Sequence, residues 1–88
     1  MVAKWFTVVG RVQGVGFRWA AQEEARRLGL GGWVQNEDQG SVTGFVQGDE
    51  AAVAQFAAWL RRGPRSARVE NVELDDAPLN GMRIFTVR

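Results

Sequence analysis

Eighty-eight residues without a cysteine or a histidine exclude disulfides, thiol and imidazole metal ligands, thiol nucleophiles and every triad built on an imidazole. Eleven basic against ten acidic side chains leave a net charge of +1, too balanced for a protein held to nucleic acid by phosphate neutralisation. No apolar run approaches the ~20 residues of a membrane span, and Met1-Val2-Ala3-Lys4-Trp5 lacks the layout of a signal peptide, so the default is one cytoplasmic, monomeric domain spanning residues 1–88.

Lys4 to Val12 alternates in two registers, Phe6, Val8, Gly10 and Val12 against Trp5, Thr7, Val9 and Arg11. With both faces largely apolar, it reads as a central strand. Trp19 to Leu28 changes to helical spacing. Phe17, Ala21, Ala25 and Leu28 share one face, Glu23 and Arg27 form a favourable i,i+4 pair outside it, and Gly29 supplies a left-handed stop. Between strand and helix lies Gln13-Gly14-Val15-Gly16-Phe17-Arg18. A strand that enters a glycine-spaced loop and leaves as a helix has unpaired backbone N–H groups at the positive end of the helix dipole. Gly14 and Gly16 permit a tight turn, and Arg18 adds a planar cationic fork matched to phosphate oxygens. The loop is therefore a candidate anion cradle, with a simple tight turn as the plainer reading. It matches neither G-x-G-x-x-G nor G-K-[ST], so it is not a nucleotide loop.

Gly32 to Gln35 is a short second strand, Asn36 to Gly40 a polar turn, and Ser41 to Gln47 a third strand that completes a hairpin. Asp49 can cap the next helix, whose buried stripe is Val53, Phe56, Ala57 and Leu60. Arg61 and Arg62 compensate its negative end, and Gly63-Pro64 stops it. Arg68 to Leu74 is a fourth strand whose Val69, Val72 and Leu74 break strict alternation, as a bulge would. After a loop from Asp75 to Gly81, Met82 to Val87 forms a short fifth strand.

The order β-α-β-β-α-β plus one strand is α+β, a ferredoxin-like split β-α-β sandwich with two helices on one face of an antiparallel sheet. Right-handed crossovers make strands one and two parallel with strand three between them, so their C-terminal ends share an edge. Two strand spacings, roughly 10 Å, then separate Asn36 from the anion loop.

Two segments together resemble the acylphosphatase family, its small standalone members in particular. The motif G-x-V-Q-G-V-G-F-R stands here as Gly10 to Arg18, and G-[WY]-V-x-N-x-x-D-G-x-V stands as Gly32 to Val42 with one departure. Gly48-Asp49, Arg62-Gly63-Pro64 and the Val69 to Val72 strand extend the likeness over the whole chain. The resemblance implies hydrolysis of an acyl phosphate to a carboxylate and inorganic phosphate, without metal or organic cofactor. It implies that Arg18 and the backbone amides of Gln13, Gly14, Val15, Gly16, Phe17 and Arg18 bind the phosphoryl group, and that Asn36 orients the attacking water. The departure is Gln39 where the family has Asp, with Asp38 one place early. An Asp there holds its turn through its own backbone hydrogen bonds.

The chemistry fits a chain without histidine. A carboxylate leaving group, with a conjugate-acid pKa of ~4–5, departs unaided at neutral pH. Phosphoryl transfer through a loose transition state asks mainly for positioning and charge stabilisation. With no base in the motif, the water's proton can pass to a phosphate oxygen of the substrate. Phe17 and Trp33 are read as core. Two rivals stand beside this reading: a non-catalytic anion-binding or accessory module, and an RNA-recognition domain using Trp5 or Phe45 on an open sheet face.

Overall fold

In the computed structural model, which describes residues 1–88, the central strand β1 (Val2–Arg11) leads through the loop at residues 12–16 into α1 (Phe17–Arg27). The chain continues as β2 (Gly31–Asn36), β3 (Val42–Gly48), α2 (Glu50–Arg62), β4 (Arg68–Asp76) and β5 (Phe85–Val87). The sheet order is β4-β1-β3-β2-β5. β3 lies between β1 and β2 and is antiparallel to both, so the loop after β1 and the hairpin turn after β2 emerge at the same end.

The sheet is mixed rather than wholly antiparallel. β1–β3, β1–β4 and β2–β3 are antiparallel, but β5 pairs parallel with β2, with Val34 opposite Val87. The cause lies in the connection after β4. β4 finishes at the end where β2 begins, and residues 77–84 stay at that end while crossing to the far edge. Gln47, only 3% exposed, holds that crossing: its Nε2 donates to the carbonyl oxygens of Asn80 and Met82, and its Oε1 accepts from the Asn80 N–H. β5 must then run alongside β2 in the same direction. It is also shorter than its apolar content predicts, beginning at Phe85 rather than Met82.

One face of the sheet carries the core. Phe6, Val8 and Val12 alternate inward along β1 and its continuation, and Val34, Val42, Val46 and Val72 line the same face. Phe17, Ala21 and Ala25 of α1 and Val53, Phe56 and Leu60 of α2 close over them. Leu28 and Ala57, the other members of the two helical stripes, pack at the margin half-buried. Phe56 sits at the centre, its ring 5.7 Å from Phe6 and 5.6 Å from Phe85. Burying each such ring contributes about 2–3 kcal/mol. Gly44 is required beneath them, because a Cβ there would lie 2.2 Å from the Phe6 ring.

Asp49 caps α2, accepting from the N–H groups of Ala51 and Ala52. Gly63 ends that helix by donating to the Trp59 carbonyl oxygen. Between β1 and β4 the register slips: Val9 pairs with Asn71 while Gly10 pairs with Val69. Glu70 is the extra residue, so the broken alternation of β4 is a bulge. Arg27 pairs with Glu24 at i,i+3 rather than with Glu23, which holds the Glu24 carboxyl below its ordinary pKa. Glu24 is reached because it lies closer to the Arg27 side chain on the half-buried flank, whereas Glu23 points to solvent.

Candidate active site

The loop between β1 and α1 is built around two glycines with positive φ, Gly14 at 75° and Gly16 at 78°. A Cβ at either would meet nothing within 4 Å, so the backbone conformation, not space, requires glycine there. Gly16 is the residue before the first turn of α1, and it offers no side-chain cap. No acidic residue occupies that turn. None of the backbone N–H groups from Gln13 to Arg18 donates to another group of the protein. Donors concentrated at the positive end of an eleven-residue helix have the chemistry to hold an anion.

The loop is held from both sides. Phe17 is buried beneath it, its ring 5.4 Å from Trp59 and against Gly63, where a Cβ would lie 2.7 Å from the Phe17 ring. The Ser66 hydroxyl donates to the Val15 carbonyl oxygen at 2.8 Å, turning that oxygen toward residues 63–67. Ser66 carries no motif and could not be found from the sequence.

Arg18 projects from the first turn of α1. Its guanidinium donates to the Arg88 main-chain oxygen at 2.8 Å, and the Arg88 N–H in turn donates to Val34 of β2. The ion pairs between side chains, Lys4–Asp76 and Arg27–Glu24, leave Arg18 without an Asp or Glu partner. A cation at the positive end of a helix dipole is unfavourable unless an anion joins it.

Asn36 ends β2, exposed and opposite Val42. By strand alternation it shares the face of Val34, the face on which the helices lie, at the end of the sheet where the loop emerges. Gln13 ties the two parts together: its Nε2 donates to the carbonyl oxygens of Glu37 at 2.7 Å and Ser41 at 3.0 Å. The turn itself is closed by the Glu37 N–H on Ser41 and the Gly40 N–H on Glu37. The side chains of Asp38 and Gln39 take no part, so the substituted turn position does not hold this hairpin.

Glu37 alternates to the opposite face. Its carboxylate accepts from Thr43 and Gln35, and these hydrogen bonds, Thr43 first, hold it below the ordinary carboxyl pKa. It is thereby a weak base and points away from the loop. On that open face Trp33 is half-buried rather than core, because β2 alternates it away from the helices. Its ring lies 6.3 Å from Trp5 and beneath the Arg88 guanidinium, 4.3 Å from the ring centre. Phe45 is 1% exposed against Trp5, which leaves Trp5 the accessible ring of the row.

The family model for acylphosphatase matches residues 4–87. The chain belongs to the acylphosphatase family. The acylphosphatase of a Nocardioides species is 54% identical over 82 residues, covering 93% of this chain and 83% of that protein. The crystal structure of the acylphosphatase from Bacillus subtilis superposes with a TM-score of 0.97 at 35% identity, over 100% of this chain and 99% of that one. A segment making up 12% of Thermococcus kodakarensis HypF superposes with a TM-score of 0.86 at 31% identity over the whole of this chain. The protein is thus an acylphosphatase hydrolase, its substrate an acyl phosphate and its product inorganic phosphate. No helix is long and apolar enough to cross a membrane.

Proposed function

We propose that the phosphoryl group of the acyl phosphate rests on the backbone N–H groups of Gln13, Gly14, Val15, Gly16, Phe17 and Arg18, clasped by the Arg18 guanidinium, and that Asn36 orients the attacking water. The observation that carries this reading is the set of free N–H donors at an uncapped helix start beside an arginine that no Asp or Glu side chain engages. Donors fixed before substrate arrives stabilise developing charge on the phosphoryl oxygens without reorganising. Gln13 contributes its backbone N–H, since both hydrogens of its side-chain amide are committed to the hairpin.

Asn36 has a side chain free of intramolecular hydrogen bonds, on the face of the sheet that looks toward the loop, so its carbonyl oxygen can accept from a water in line with the bond to be broken. Water attacks phosphorus, the bond from phosphorus to the acyl oxygen breaks, and the carboxylate leaves with that electron pair. The water's proton passes to a phosphoryl oxygen. Glu37 supplies no base, because its carboxylate is hydrogen-bonded on the other face.

The reading extends to a cytoplasmic monomer in which residues 1–88 act as one domain, without nucleic acid, membrane or metal partners. Stacking of bases is disfavoured by the burial of Phe45 and by the Arg88 side chain over Trp33. An accessory module is the second reading, favoured by the match to 12% of HypF. Titrating the ¹⁵N-labelled protein with inorganic phosphate tests the cradle. The amide resonances of Gly14 to Arg18 should shift together and saturably, and an unshifted loop would overturn the assignment.

A further inference from the structure

We infer that the Gln13 side chain is a positioning residue for the reaction, setting where Asn36 stands relative to the phosphate loop; this rests on the functional reading of Asn36 above. The geometry is specific. One amide nitrogen, with two hydrogens, donates to the two carbonyl oxygens that close the β2–β3 turn, Glu37 at 2.7 Å and Ser41 at 3.0 Å. Those same oxygens accept the turn's own bonds, from Gly40 at 3.1 Å and from Glu37 at 2.9 Å. Gln13 therefore joins the closed ring of the turn and supplies a polar link between the phosphate loop and the hairpin.

Asn36 stands next to Glu37, with its backbone anchored on the other side by pairing to Val42. Its position is fixed by β2 behind it and by the Gln13-held turn ahead. The phosphate donors depend instead on Gly14, Gly16, Phe17 and the start of α1. Removing the Gln13 donors frees the turn and leaves the cradle built, so water placement should suffer while phosphate binding persists. A 1 Å misplacement is enough to lower a rate about a hundredfold in a well-aligned site. A partly restrained turn should cost less.

The test is a double-mutant cycle with benzoyl phosphate as substrate and inorganic phosphate as competitive inhibitor. Gln13→Met keeps the length and removes the donors. It should lower kcat about tenfold and move KM and the phosphate inhibition constant less than about twofold. In an Asn36→Ala background the same change should alter kcat less than about twofold, because the group it positions is gone. Phosphate inhibition reports the folded cradle in each variant. Gln13→Asn, which keeps the amide but shortens its reach by one methylene, should give a milder form of the same split should Gln13→Met not fold. Weakened phosphate inhibition at unchanged kcat would make the Gln13 side chain a phosphate ligand and overturn the inference, as would additive losses in the cycle. Full activity of Asn36→Ala alone would instead fault the functional reading.

Discussion

The guanidinium of Arg18 and the main-chain oxygen of Arg88 are joined by a 2.8 Å hydrogen bond across 70 residues of sequence. Arg88 is itself fixed to Val34 through its N–H, and its side chain lies over Trp33. The cation at the start of α1 is thereby tied to the β2–β5 edge. With one N–H of its fork engaged there, the remaining donors stay available for an anion.

That sharing cannot be reproduced by a lysine, a single point charge on a flexible stem. Arg18→Lys should lower kcat/KM by about ten- to a hundredfold, and Arg18→Ala should raise KM steeply and nearly abolish turnover. Steady-state kinetics on an acyl phosphate checks both. A lysine variant of full activity would show that the fork is not used.

Gly14 and Gly16 hold a left-handed backbone without any steric neighbour. Alanine at either should destabilise the fold by about 1–2 kcal/mol through strain alone. It should also weaken phosphate inhibition, because relief of the strain re-aims the N–H donors. Denaturant midpoints beside phosphate inhibition constants separate the two effects. Unchanged phosphate affinity in both variants would count against the cradle.

Gln47 should behave as a purely structural residue. Gln47→Ala removes the buried side chain that bonds the Asn80 and Met82 carbonyl oxygens and the Asn80 N–H. A loss of about 1–2 kcal/mol in chemical denaturation is expected, with kcat and KM unchanged, since the crossing lies at the opposite end from the loop.

Stability should fall on acidification. Glu37, Asp76 and Glu24 are each held below their ordinary values, by Thr43 and Gln35, by Lys4 and by Arg27 respectively. A carboxyl with a depressed folded-state pKa contributes stability above its unfolded value, near 4.5 for Glu37, and loses it as pH falls through the folded value. Urea midpoints measured from pH 7 downward should therefore decline below about pH 4.5, and less steeply in Glu37→Gln. An equal decline in that variant would show that Glu37 does not contribute.

Much of this was legible in the sequence because local signals and fold agreed. The glycine-spaced loop, the Asp49 cap, the bulge in β4 and the placement of β3 between β1 and β2 follow from residue pattern and handedness rules. The features that escaped are side chains acting at long range. Gln13 reaches over 20 residues to the hairpin, Ser66 reaches Val15, and Gln47 steers β5 into a parallel pairing. No periodicity encodes these contacts. Trp33 read as core because its apolar neighbours do not reveal which face of β2 the helices cover. The exchange of Glu23 for Glu24 is similar, since both spacings reach Arg27 and only packing on the flank of α1 decides between them.

Asn36 carries the most specific claim, that it places the water and not the phosphate. The direct measurement is hydrolysis of benzoyl phosphate by wild type, Arg18→Ala and Asn36→Ala, in the presence of chelator and with inorganic phosphate inhibition recorded for each. Metal-independent turnover in the wild type should fall to a low residual kcat in Asn36→Ala and nearly vanish in Arg18→Ala, with phosphate inhibition of the residual turnover retained in Asn36→Ala and lost in Arg18→Ala. Loss of phosphate inhibition in Asn36→Ala with turnover intact would contradict the division of roles.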